Sequence, residues 1–246
     1  MPTITDTAIC IRSWDFSETS QTVSLLTRDH GVVRGLAKGS KRQKGSFSGG
    51  MDVLTRGEVV AIIKPGRDLA TITAWHLQEL YRVLRQSLAA NRAGLYMADL
   101  MHHMLVEHDP HPRLFDAFAE ALAALDDSSA IEISLLRLQW TLLVEAGYQP
   151  ELFRDAQSGQ PLPDDATTLA FSALAGGVVV DTSAPGRWRV RRETIELLRR
   201  LVANDQTHDD DADSIRRANR LLAVYFREII GSEPPAMRWA FSDLTT

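Results

Sequence analysis

Arg34–Arg67, RGLAKGSKRQKGSFSGGMDVLTRGEVVAIIKPGR, is the stretch on which the reading of this chain turns. It holds all four lysines of the protein, Lys38, Lys41, Lys44 and Lys64, with Arg34, Arg42, Arg56 and Arg67. Against these eight cations stand only Asp52 and Glu58, so the local charge is +6 while the whole chain carries −5. The excess is therefore not a by-product of a basic composition. Four glycines and three serines interrupt the segment between Gly39 and Gly50, which suits a loop whose backbone approaches a ligand closely. Lys and Arg on such a loop meet phosphates as point charges and forks, with affinity that ignores base sequence and falls with salt. A solvated charged loop without a ligand is the other reading of the same run.

The totals set the frame. A chain of 246 residues, 44% hydrophobic and 24% charged, is long enough to bury a sizeable core in one large or two ordinary domains. It has no apolar run of transmembrane length, and MPTITDTAICIRSWD at its start lacks the basic and apolar regions of a secretory signal. Cys10 is the sole cysteine, which excludes an intrachain disulfide and any multi-thiolate zinc or iron–sulfur site and makes the cytoplasm the default location. Flanked by Ile9 and Ile11, it reads as a packed strand residue. Residues 1–80 hold ten Lys+Arg and eight Asp+Glu, a net +2, whereas the remainder holds 17 and 24, a net −7. The two parts should meet different partners.

Around the basic stretch the pattern is one of short strands. Thr7–Arg12 and Thr22–Thr27 are rich in β-branched residues, Arg28-Asp29-His30-Gly31 is a turn, and Val32–Ala37 returns as the second arm of a hairpin. Glu58–Lys64 and Leu69–Trp75 follow, separated by Pro65-Gly66-Arg67-Asp68. Five strands and a basic loop predict an oligonucleotide-binding (OB) β-barrel over residues 1–77, a fold that holds single strands by a positive groove and aromatic rings. Trp14, Phe16, Phe47 and Trp75 are the available rings, with Phe47, inside the loop, the foremost.

Beyond Trp75 the spacing turns helical, so the fold class is α+β and multidomain, with a helical domain over 78–246. Gln78–His108 carries leucines and methionines at spacings of three and four and predicts one helix. Leu114–Leu125 predicts a second, and a third opens on the capping box of Ser129 and Glu132 and ends at Gly147. Residues 149–192 are rich in Pro and Gly and read as an irregular or β-rich insertion, with strands at Val178–Val180 and Trp188–Val190. Glu193–Ala203 and Asp213–Ile230 are the last two helices.

Catalytic and metal chemistry finds little footing. His102, His103, His108 and His111 lie near Glu107 and Asp109, but a full ligand set at metal-site spacing is missing. The aspartates 205, 209, 210, 211 and 213 lack the glycine and closing glutamate of a calcium loop. There is no GxSxG elbow, no GxxxxGK[ST] loop and no GxGxxG after a strand, so no enzyme is expected.

Several separated segments, in order, resemble the RecO family of bacterial DNA repair and recombination mediators. ETSQTVSLLTRDHGVVRGLAKGSKR (18–42), FSGGMDVLTRGEVV (47–60) and KPGRDLATIT (64–73) are similar to its N-terminal strands and basic loop. LLRLQWTLLVEAGYQPEL (135–152) and RRANRLLAVYFREIIGSEPPAMRWAF (216–241) are similar to its central and last helices. The resemblance implies an OB fold joined to a helical domain. It implies binding of single- and double-stranded DNA, annealing of strands coated with single-strand binding protein, and RecA loading with RecR, on the nucleoid. The DNA-binding residues implied are Arg34, Lys38, Lys41, Arg42, Lys44, Arg56, Lys64 and Arg67, joined by Phe47. Arg137, Leu138 and Leu142 mark the region expected to receive the acidic tail of single-strand binding protein. Where many family members carry four zinc cysteines, this chain has Asp155, Ser158, Val180 and Ser183, so no zinc is expected. A protein-interaction adaptor and an RNA-binding OB protein remain alternatives.

Overall fold

A computed structural model describes residues 3–42, 46–48, 51–125, 128–164, 166–180, 183–203 and 211–241. The chain begins with β1 (Thr3–Asp15), β2 (Gln21–Thr27), β3 (Gly31–Ala37), the two-residue β4 (Phe47–Ser48), β5 (Arg56–Ile62) and β6 (Ala70–Glu79). The five long strands run in the order β3-β2-β1-β5-β6, with β4 added on β6. A β-bulge between Cys10 and Arg12 bends β1, so that its first half pairs with β5 and its second with β2. β3 and β6 also pair in parallel, Gly35 with Ala70, Leu36 with Thr71 and Ala37 with Ile72. This five-stranded arrangement agrees with the OB fold expected. Alternation along the strands sends Cys10, Val23, Leu25, Val33, Val59 and Trp75 into one core. Burial pushes the Cys10 thiol up to about 12, as befits a packing residue.

From the other side of the sheet, Ile9, Ile11, Leu26 and Val32, with Leu54, enter a second core built mainly by helices. These are α1 (Val83–Gln86), α2 (Leu88–Met104), α3 (Pro112–Ala123), α4 (Ser128–Glu145), α5 (Arg192–Val202), α6 (Ala212–Ile230) and α7 (Met237–Ala240). The single helix expected over Gln78–His108 is broken. β6 persists to Glu79, Tyr81 adopts a φ of 46°, and Ser87 is extended and caps α2 by accepting from Ala90 N at 3.3 Å. The apolar spacing runs unbroken across Ser87, which is why the interruption is hidden in the pattern. Glu132 reaches across to α6, where its Oε2 accepts from Asn219 Nδ2 at 2.6 Å. Gln139 Nε2 donates to Asn219 Oδ1 at 2.8 Å and Tyr96 OH to Gln139 Oε1 at 3.3 Å, a buried polar seam that fixes α2, α4 and α6 in register.

The insertion is a three-stranded antiparallel sheet, β8-β7-β9, of β7 (Thr168–Ser172), β8 (Gly177–Val179) and β9 (Arg187–Arg191). The central strand β7 is additional to the two expected. Phe171 at its middle stacks on Trp188 at 5.9 Å and meets the edge of Tyr225 of α6 at 5.2 Å. One carboxylate joins the two halves of the chain: Asp99 on α2 pairs with Arg12 of β1 at 3.3 Å and accepts from Ala236 N, before α7, at 2.8 Å.

Candidate nucleic-acid interface

The β3–β6 pairing gathers most of the expected cations. Arg34 stands one residue before it on β3, and Lys38 one residue after it, four residues and about 13 Å apart along the strand. Lys41 and Arg42 lie in the turn that follows, Arg42 N donating to Gly39 O at 3.1 Å and Lys41 N to Thr19 O at 3.2 Å. The β5–β6 turn, closed by Arg67 N donating to Lys64 O at 3.2 Å, brings Lys64 and Arg67 in just ahead of Ala70, the partner of Gly35. Lys38, Lys41, Arg42 and Arg67 are exposed. Two of the cations have carboxylate neighbours: Arg34 pairs with Glu107 at 3.0 Å and Lys41 with Asp15 at 2.5 Å. Both pairs are solvent-accessible, where a phosphate competes readily. Lys44 lies outside the described residues.

Arg56 does not join this group. It sits at the opposite end of β5 from the β5–β6 turn, six residues and about 20 Å away, opposite Glu79 and beside Tyr81. The aromatic expectations also change. Trp75 is fully buried beneath the sheet and offers no face to a base. Phe47 is half-buried, packed on the core as β4 pairs with Trp75. Phe16, next to Asp15 and its partner Lys41, is 63% exposed, which makes it the ring best set for stacking. Trp14, on the same strand end, lies edge-on to His102 at 6.0 Å with Arg12 over its ring at 5.8 Å.

Burial, aided by the charges of Arg12, His103 and Arg34, pushes His102 down to about 4, so it is neutral near neutral pH. His103 Nδ1 lies 2.7 Å from Asp99 O, and His111 lies between Asp109 and Glu145 at 3.4 and 3.5 Å. Among the described residues, no three His, Cys, Asp or Glu side chains are grouped to hold a metal ion. Of Asp155, Ser158, Val180 and Ser183, Asp155 acts as a hub. Its Oδ2 accepts from Val180 N at 2.8 Å, and its Oδ1 from Ser158 N at 2.7 Å, Ser158 Oγ at 2.9 Å and Gln157 N at 3.0 Å. One carboxylate already saturated with donors, two hydroxyls and a valine do not fit a zinc ion.

On the helical side, Arg137 is exposed on α4. With Leu138, Trp140, Ala121 of α3 and Leu201 of α5 it borders a groove of about 480 Å³. Leu142 corrects the expectation: it is fully buried in the helical core, supporting α4 from within and presenting nothing to a partner. A further basic run escaped the reading altogether. RWRVRR at Arg187–Arg192 alternates cations with apolar residues, the signature of a strand with one charged face, but the acidic total of the C-terminal part masked it.

No helix among the described residues is long and apolar enough to cross a membrane. The family model for recombination protein O, N terminal, matches residues 1–81, and that for recombination protein O, C terminal, matches 85–238. The DNA repair protein RecO of Rhodopirellula baltica is 32% identical over 214 residues, covering 84% of this chain and 79% of that protein. Those of Dehalococcoides mccartyi (strain CBDB1) and Cutibacterium acnes are 26% and 28% identical, over 94% and 92% of this chain and 92% and 93% of theirs. Two matched models that between them take in both sheets, the helices and the cation-lined β3–β6 pairing show that this chain belongs to the RecO family of DNA repair proteins.

Proposed function

We propose that this protein is a non-catalytic, DNA-binding recombination mediator. It anneals complementary single strands coated with single-strand binding protein and, with RecR, assists RecA loading at the nucleoid in the cytoplasm. The observation that carries this reading is the convergence of Arg34, Lys38, Lys41, Arg42, Lys64 and Arg67 on the two sides of the β3–β6 pairing, beside the exposed ring of Phe16. Cations spread along a ridge neutralise phosphates without reading bases. Two strands drawn to one positive surface repel each other less and pair faster. The groove at Arg137 supports docking of the acidic tail of single-strand binding protein, with Leu138 at its floor.

Annealing of complementary oligonucleotides precoated with the cognate single-strand binding protein tests the reading. We compare wild type with a variant carrying Lys38, Lys41, Arg42 and Lys44 all changed to Ala, its fold checked by circular dichroism. Strong annealing by wild type and its loss in the folded variant are expected. Absence of annealing by wild type, with tail-peptide binding intact, would leave an adaptor docked through the Arg137 groove. Tighter binding of RNA than of DNA of equal length would leave an RNA-binding protein.

A further inference from the structure

We propose that the groove between β9 and α6 is a second binding site for the phosphate backbone of single-stranded DNA, separate from the β3–β6 cations. The inference rests on the reading that the protein binds DNA. β9 is an edge strand of the small sheet, and its alternation leaves Arg189 and Arg191 exposed while Val190 is buried. On α6, Arg217, Arg220, Val224 and Arg227 recur at steps of three, four and three, which places them on one face of the helix. Strand and helix border a single groove of about 490 Å³, lined by five arginines, Arg189, Arg191, Arg217, Arg220 and Arg227, and among the described residues by no Asp or Glu. Trp188, Leu221 and Val224 contribute apolar lining.

Two of these arginines stand beside exposed acids. Arg217 is held by Ser214 Oγ at 2.6 Å and lies 3.6 Å from Asp211, whose side chain is 64% exposed. Arg227 lies 3.4 Å from the exposed Glu228. Exposed pairs of this kind are weak and exchange readily for a phosphate. Guanidinium is the group suited to the task, since its fork matches two phosphate oxygens.

The geometry selects the occupant. Arg217 to Arg227 spans about 15 Å along the helix, and Arg189 to Arg191 about 7 Å along the strand. The arginines thus form two rows, one along the strand and one along the helix, and not a single focus. Evenly spaced monovalent phosphates suit such rows better than a peptide tail, whose carboxylates bunch together. Trp188, with one ring face held by Phe171 at an interplanar angle of 7°, is a rigid apolar surface at the groove, of the kind single-strand sites pair with cations.

Binding of fluorescein-labelled oligothymidine to the full chain, measured by anisotropy over a NaCl series, tests this. The variants are Arg189→Ser/Arg191→Ser/Arg227→Ser, the matching triple Lys variant, and Lys38→Ala/Lys41→Ala/Arg42→Ala. Each single-strand phosphate contact contributes about 0.7 to the slope of log affinity against log salt. The triple Ser variant should therefore bind at least about tenfold more weakly in 0.1 M salt, with a slope shallower by about 2, and the Lys variant should keep the slope. An unchanged slope in the Ser variant, while the loop variant loses affinity, would overturn the second site and leave the DNA reading standing. Failure of wild type to bind oligothymidine would overturn both. Loss of affinity for an oligo-aspartate peptide, with DNA binding intact, would overturn the assignment in favour of an acidic-peptide groove. Thermal unfolding checks the triple variant; should it be unfolded, Arg191→Ser alone, at an exposed site, must still make the slope shallower by about 0.7 for the proposal to stand.

Discussion

Asp155 closes its loop with a single side chain. Removing it takes the acceptor from the part-buried hydrogen bonds of Val180, Ser158 and Gln157 N–H. Asp155→Ala is therefore expected to cost on the order of 1–2 kcal/mol, read as a lower unfolding midpoint in urea. Burial pushes this carboxyl up, but the hydrogen bonds from Val180, Ser158 and Gln157 outweigh it and hold the carboxyl below its usual range. A depressed acid contributes stability above its unfolded value of 3.8 and loses it as pH falls through the folded value. His102 acts in the same direction at higher pH. The unfolded chain protonates it at about 6.5, the folded protein only at about 4. Stability should thus be complete above 6.5 and decline between those values. His102→Gln should flatten that decline in urea unfolding followed as a function of pH. At this scale the cations were legible, since charge is written in composition. The fate of each ring was not: Trp75 and Phe16 differ by burial, which depends on strands distant in sequence.

The strands of the first sheet were legible because β-branched runs alternate and a glycine marks the turn between β2 and β3. Gly31 has a φ of 69°, and a Cβ there would stand 2.4 Å from the carbonyl oxygen of Asp109, in the segment that follows α2 and lies along β3. His108 N donates to Val32 O at 3.1 Å in the same strip. Gly31→Ala is accordingly expected to cost at least about 2 kcal/mol and to lower Tm by about 5 °C. The separation of α1 from α2 was illegible, since one serine stops a helix and starts the next without disturbing the leucine spacing. The cationic face of β9 was overlooked for a different reason. Summing charge over residues 81–246 averages an acidic surface with a strand and a helix whose arginines converge only when α6 packs beside the small sheet.

The two cores have consequences for the molecule as a unit. Ile9, Ile11, Leu26 and Val32 leave the first sheet with an apolar surface that only the helices cover. Burial of such side chains stabilises by about 1.5–3 kcal/mol each, so neither half should be stable when the other is removed. Calorimetry of the full chain should show one cooperative transition, and residues 1–81 expressed alone should aggregate or bind hydrophobic dye. Two separated transitions would show that the halves fold independently. How tightly sheet and helices are coupled could not be read from sequence. Each strand pattern specifies one inward face, whereas the second buried face is imposed by α2 lying across it.

The bond from Ala236 N to Asp99 joins residues 137 apart, and it sets an order for events on the ribosome. When β1 and α2 have emerged, Arg12 can already engage Asp99, but the carboxylate's second donor has yet to be synthesised. A nascent or prematurely terminated chain lacks this second donor and the segment that covers Asp99 at the joint between its two parts. Proteases and chaperones that sample such joints would therefore distinguish an unfinished chain from a finished one until the last turns are released.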